Sequence, residues 1–177
     1  GSSSSTSRAA LRRLAAAIPQ SPAPALVHGD FRLGNLALDP HDPGRVAAIF
    51  DWEMATLGDP LADLGYTLIY WTEIDDVASG TPFGASVTAQ LGFATRAELV
   101  DAYARATGRD VAAVDFYQVL ALYKLAVISE GIYARFRMGK TLGPGFENMQ
   151  RAAGPLAERA LALAEQSSDA RLRGESS

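Results

Sequence analysis

Residues 27–66 read VHGDFRLGNLALDPHDPGRVAAIFDWEMATLGDPLADLGY, and the fold and the chemistry of the chain both turn on that stretch. Three oxygen-bearing side chains are spaced along it: Asp30, Asn35 five residues later, and Asp51 at the end of the apolar run 46–50. Leu26 and Val27 read as a short strand entering the loop, and residues 36–38 as a strand leaving it. The run Asp39-Pro-His-Asp-Pro-Gly44 is dense in turn formers, so residues 36–38 and 46–50 are expected to pair as a hairpin. That return folds Asp51 back toward Asp30 and Asn35. Asp59-Pro60 then opens a helix, with Asp59 as its cap and Pro60 at the first position, where a missing N–H costs nothing. The helix is expected to run to about Tyr70, with Leu61, Leu64, Leu68 and Ile69 toward a core and Asp63 in the first turn.

Outside this stretch the pattern is helical. Leu11, Leu14 and Ile18 lay one apolar stripe on a short helix over residues 8–18, which Pro19, Pro22 and Pro24 end. Residues 1–7 (GSSSSTS) are low in complexity and expected to be a disordered tail. Residues 73–92, with Gly80, Pro82 and Gly84, read as a loop-rich rim. Thr95 and Glu98 have the spacing of a capping box for a helix over 96–107, which Gly108 stops. A long helix follows over about 114–138, broken at 141–145. A final helix spans 147–164, with Gly154-Pro155 as a kink or division, and residues 167–177 are polar and expected to fray. The resulting division is a tail at 1–7, one domain at 8–166 and a second tail at 167–177.

Composition bounds the possibilities. A chain of 177 residues, 48% hydrophobic, has room for one domain with a real core. A net charge of −4 and no lysine-rich block argue against nucleic acid or an anionic membrane as partner. No run of eighteen apolar residues is present, and the apolar run after Arg12-Arg13 is too short for a signal core. With no cysteine there is no thiolate ligand or nucleophile, and a cytoplasmic setting is taken as the default.

Phosphoryl transfer needs a carboxylate to orient or deprotonate an attacking hydroxyl, and oxygen ligands to hold Mg between nucleotide phosphates. H-x-D-x-x-x-x-N followed by a strand-borne aspartate supplies both. Asp30 is then the base or orienting group, Asn35 a neutral oxygen ligand, and Asp51 the principal metal ligand. Arg32 could reach a phosphate or a substrate anion, although bracing the loop is an equal use for it. Glu53 could extend the metal shell through water or pair with a nearby cation.

VHGDFRLGN followed by IFDWEMATLGDPLADLGY resembles the catalytic region of the aminoglycoside phosphotransferase and choline kinase superfamily. It is especially similar to the phosphotransferase-like proteins related to the amino-terminal part of certain acyl-CoA dehydrogenases. The resemblance implies an α+β, mainly helical fold: the C-terminal lobe of a protein-kinase-like fold, with a small β-hairpin at the catalytic loop. It implies Asp30 as catalytic base, Asn35 and Asp51 as Mg ligands, His28 as a brace of the loop, and Asp63 as an acceptor for the loop backbone. Gly29 stands where protein kinases have arginine, and Trp52-Glu53 replaces Phe-Gly, so a small-molecule acceptor is expected rather than a protein.

Members of that superfamily grip ATP with an N-terminal lobe carrying a phosphate-binding loop and a strand lysine. Here the lysines are Lys124 and Lys140, both far downstream, and the one glycine before Gly29 is Gly1. The nucleotide site is therefore incomplete in these residues. The chain is expected to be a fragment, inactive alone, that needs an N-terminal lobe or a second chain and could dimerise through exposed apolar surface. Two other functions fit parts of the pattern: a kinase-like docking or regulatory module without catalysis, and a metal-dependent hydrolase ligating through Asp30, Asp51 and His28.

Overall fold

The turn formers at 39–44 do close a hairpin. In the computed structural model, which describes residues 2–79, 87–140 and 149–175, β2 (Leu36–Asp39) runs antiparallel to β3 (Asp42–Ile49), with Leu36 opposite Ile49 and Ala37 opposite Ala48. Leu38 then faces Val46, so Ala47 is an extra residue on β3, and the bulge adds local twist as the strand returns. A second antiparallel pair joins β1 (Ala25–Val27) to β4 (Thr56–Gly58), with Leu26 opposite Leu57. Both ends of the catalytic stretch are thereby tied together.

These strands belong to the first of two compact units, residues 20–117. Within it α2 (Leu61–Tyr70) is anchored by Leu61, Leu64 and Leu68, which form a buried cluster with Tyr117. Leu99, Val100 and Tyr103 of α4 (Arg96–Thr107) pack against that cluster. The helix α4 has the expected capping box between Thr95 and Glu98, and Gly108 closes it in the left-handed conformation. Asp59 caps α2, its Oδ1 accepting from Leu61 N at 2.9 Å, while Oδ2 accepts from the Tyr117 hydroxyl at 2.7 Å.

Burial first, and then the negative Asp59 beside it, push the Tyr117 phenol up to about 12. The folded state therefore favours the neutral form, so the stability this pair contributes is intact below the ordinary tyrosine range near 10 and lost as pH rises through 12. Tyr117→Phe is expected to cost about 2 kcal/mol at neutral pH, the worth of a hydrogen bond to a charged group, and to flatten the decline between pH 10 and 12. Urea melts across that range read both effects.

The second unit comprises residues 1–19 and 118–177. In it α1 (Ser2–Ala16) packs on α6 (Met149–Gln166) and α7 (Ala170–Arg173). Ala10 and Leu14 are buried on the α1 side and Leu156, Ala157, Ala160 and Ala164 on the α6 side, the alanines allowing close approach. α5 (Val114–Arg137) is one continuous helix whose first four residues fall in the first unit.

Four expectations are corrected. Residues 2–7 are helical rather than a disordered tail, because the anchored stripe of α1 nucleates a helix that extends toward the N-terminus at low cost per residue. Residues 167–175 do not fray: Asp169 caps α7, Arg173 donates to the Ser167 and Ser168 carbonyls, and Leu172 is fully buried. The rim at 73–92 includes α3 (Ile74–Ser79) and a single 3-10 turn (Val87–Ala89), held where Arg96 pairs with Glu73 and Asp76. Gly80, Pro82 and Gly84 lie outside the described residues, as does the break at 141–145. Pro155 sits inside α6 without dividing it. Among the described residues no helix is long and apolar enough to cross a membrane.

Candidate active site

One face of α2 is built to read the loop at residues 28–32 in register. Asp63, Tyr66, Thr67 and Tyr70 recur at helical spacings of three and four, which places them on one side, away from the Leu61, Leu64 and Leu68 stripe. Asp63 accepts from His28 N at 2.6 Å and Gly29 N at 2.8 Å. Tyr66 helps to hold the Asp30 carboxyl below the usual carboxylate range. Thr67 Oγ1 lies 2.9 Å from Phe31 O and 2.8 Å from Asp63 O, its one proton shared between them. Tyr70 presents its ring to Arg32, whose Cζ stands 5.4 Å from the centroid.

The loop turns at Gly29, where φ is +85°. A Cβ there would meet Met54 O at 2.7 Å and Met54 Cβ at 2.9 Å, so conformation and space both demand glycine. Gly29→Ala is expected to cost about 3 kcal/mol, combining the strained φ with displacement of the Met54 backbone; a denaturant titration checks it.

His28 links the two halves of the site. Its Nε2 donates to Phe50 O at 2.7 Å and its Nδ1 accepts from Asp30 N at 3.2 Å, which selects the neutral Nε2–H tautomer. The ring is 2% exposed and lies 4.7 Å, centroid to centroid, from Trp52. Phe50 is held from the other side as well, its N–H donating to Asn35 O at 2.8 Å. The residue before Asp51 is thus clamped between His28 and Asn35. Asp51 itself is the one non-glycine among the described residues with a positive φ, at φ 69° and ψ 51°. Its carboxylate is exposed.

Asn35 spends its amide nitrogen on Asp30, donating to the backbone O and to Oδ2, both at 2.8 Å. Its Oδ1, the atom able to ligate a metal, is left for other partners. Burial opposes ionisation of Asp30, but donation from Asn35 and Tyr66 and the charge of Arg32, 3.4 Å away, outweigh it and hold the carboxyl below the usual range. Arg32 thus touches the candidate catalytic carboxylate directly. Glu53 is exposed in the single turn Trp52–Met54, and no hydrogen bond or ion pair joins it to this cluster.

The residue-level reading missed Tyr66, Thr67 and Tyr70. The signal was the polar stripe at 63, 66, 67 and 70, visible only once the apolar stripe of the same helix is set aside. The hydrolase alternative loses its histidine, since both nitrogens of His28 are engaged within the protein. Among the described residues no group of three His, Cys, Asp or Glu side chains could hold a metal. An open cavity of about 580 Å³, almost wholly apolar, lies between the loop and α4, walled by Phe31, Leu33, Leu64, Trp71, Leu99 and Tyr103.

Residues 5–117 match the phosphotransferase enzyme family. The chain is 34% identical over 150 residues to acyl-CoA dehydrogenase family member 11 of Gallus gallus, covering 82% of this chain and 19% of that protein. It is 32% identical over 126 residues to family member 10 of Mus musculus, covering 70% of this chain and 12% of that protein. The chain thus spans a fifth or less of the length of these curated relatives. Among solved structures it is similar to a Ralstonia eutropha protein assigned provisionally as an aminoglycoside phosphotransferase, with a TM-score of 0.75 and 29% identity over 93% of this chain and 50% of that one.

Proposed function

The chain belongs to the phosphotransferase enzyme family, and from that premise we propose that it forms the acceptor- and metal-facing half of an ATP- and Mg-dependent phosphotransferase acting on a small-molecule hydroxyl or amino group. The observation that supports this is the clamp on Phe50, the residue before Asp51, by His28 and Asn35, which also hydrogen-bond Asp30. Asp30 is ionised at neutral pH and a poor proton sink. Its work is to orient the acceptor, which suits a loose phosphoryl-transfer transition state that needs little deprotonation beforehand. Arg32, held between Asp30 and Tyr70, adds positive charge at the same point.

The donors fit Mg, a hard cation that takes oxygen ligands. Asp51 offers an exposed carboxylate and Asn35 a neutral carbonyl oxygen whose amide partner is already committed. When bound, the metal would neutralise charge on the nucleotide phosphates. Contacts to the nucleotide itself come, in this proposal, from residues outside these 177. That half would cover Phe50, Trp52 and Met54, large apolar neighbours of Asp51 that stand 56, 45 and 48% exposed.

The test uses the protein that carries this sequence, with phosphorylation of a panel of hydroxyl and amino compounds followed from Mg-ATP. Asp30→Asn is expected to lower turnover about 100-fold, the low end of the general-base range, because orientation rather than proton transfer is lost. Unchanged phosphorylation in that variant would overturn the assignment and favour a kinase-like binding module.

A further inference from the structure

We infer that the acceptor of this site is an anionic hydroxy compound, its acid group held by the free end of the Arg32 guanidinium while its hydroxyl lies at Asp30. The inference rests on the assignment of Asp30 as the acceptor-facing carboxylate and names the substrate class of that same site.

Arg32 is fixed from three directions. Its Nε stands 3.4 Å from each oxygen of the Asp30 carboxylate. Its Cζ lies 5.4 Å from the centre of the Tyr70 ring. Gly34 gives the third contact, because a Cβ at that position would stand 3.1 Å from Arg32 Nη1 and 3.6 Å from Cζ, so the guanidinium rests where a larger residue would crowd it. With Nε spent on Asp30, the N–H groups of Nη1 and Nη2 have no partner among the described residues. These two nitrogens are the fork that fits two oxygens of a carboxylate or a phosphate.

Gly34 and Tyr70, the residues that flank the guanidinium, also line an open cavity of about 210 Å³ together with Leu33, Trp71 and Val87. Arg32 is the one charged side chain on its walls among the described residues. The Thr67 and Thr88 hydroxyls there donate to backbone carbonyls, of Phe31 and Thr72, each at 2.9 Å. An acid entering the cavity therefore meets a cation already held in place, with no carboxylate on the walls to compete, whereas a neutral group would leave the fork unpaired and an ammonium would face like charge. Residues 50–58, which carry Asp51, form no part of these walls, so the free donors serve an acceptor rather than the Mg-bound phosphates.

Glycerate, glycerol 3-phosphate and glycerol share one carbon backbone and differ at one end. In the protein that carries this sequence, with Mg-ATP as donor, kcat/KM for the better of the two acids is expected to exceed that for glycerol by about tenfold or more, the factor a charge-assisted hydrogen bond is worth. The better acid distinguishes a carboxylate from a phosphate. Arg32→Met is expected to erase the preference with KM for Mg-ATP unchanged, and Arg32→Lys, which keeps the charge and loses the fork, to restore part of it. A wild type that uses glycerol as well as either acid overturns the inference, as does a preference that survives Arg32→Met. A raised KM for Mg-ATP in place of the lost preference would give Arg32 to the nucleotide, and an equal loss on all three acceptors would reduce it to a support of Asp30; each overturns the inference while leaving the site assignment standing. If Asp30→Asn changes nothing, that assignment fails first and takes the inference with it.

Phenylglyoxal, which attacks unpaired guanidinium groups, reads the same edge without turnover. Labelling of Arg32 in that protein, followed by peptide mass spectrometry, is expected to slow in glycerate or glycerol 3-phosphate and to be unaffected by glycerol. Labelling at one rate with and without the acids overturns the inference even if no acceptor in the set is phosphorylated.

Discussion

Asp51→Gly is expected to give a chain that melts higher and a phosphotransferase that hardly turns over. Asp51 sits in left-handed backbone, φ 69° and ψ 51°, where a side chain pays a steric penalty that glycine escapes. Removing it should stabilise the fold by about 1 kcal/mol, read as a rise in melting temperature. The same substitution deletes the carboxylate assigned to Mg. Loss of metal-mediated charge stabilisation, several kcal/mol, corresponds to a fall of about 1000-fold in turnover. Asp51→Asn separates the two effects: asparagine tolerates left-handed backbone, so stability should stay near wild type while turnover still collapses. A lower melting temperature for Asp51→Gly would show that the conformation is not strained, and surviving turnover would remove Asp51 from the metal site.

That strained aspartate also shows where the sequence could be read. The apolar run 46–50 ending in Asp51, the turn formers before it and the Asp59-Pro60 start after it are local signals, and hairpin and capped helix both follow from neighbours a few residues apart. The resemblance built on residues 27–66 is matched by the family assignment of residues 5–117 and by the structural similarity. What local patterns could not show is pairing at a distance. β1 meets β4 some thirty positions later in the chain, and nothing in Ala25–Val27 names Thr56–Gly58 as partner. The left-handed turn of Asp51 is likewise invisible, since its cause is the clamp on Phe50 from His28 and Asn35.

The tails were misjudged for a different reason. Composition averages over a segment, and in 167–177 one residue, Leu172, decides the outcome by being wholly buried. The α2 face was half seen: Asp63 was placed from the resemblance, whereas Tyr66 and Tyr70 pass for core aromatics until the loop opposite is known. Glycine at position 29 was read as a difference from protein kinases. Its physical requirement is the Met54 backbone, less than 3 Å from where a Cβ would stand.

The largest loss of stability is expected at Asp63. Its two carboxylate oxygens each take one backbone N–H, at 2.6 Å from His28 and 2.8 Å from Gly29, across 35 and 34 residues of chain. Hydrogen bonds to a charged acceptor are worth about 1.5–3 kcal/mol each, so Asp63→Ala should cost about 4 kcal/mol, a large part of the 5–15 kcal/mol typical of a whole domain. Size alone will not rescue it. Asp63→Asn keeps the shape and one acceptor but turns an NH₂ group toward the second N–H, leaving that donor unpaired and crowded. Asparagine should therefore recover at most half of the loss. Denaturant titrations of the three proteins give the ranking Asp, then Asn, then Ala. Because the loop is the foundation for Asp30 and for the His28 contact to Phe50, the Asn variant should also lose turnover under conditions where it remains folded. An Asp63→Asn protein as stable and as active as wild type would mean that the loop is held by its remaining contacts, Thr67 to Phe31 and Asn35 to Asp30, without the helix carboxylate.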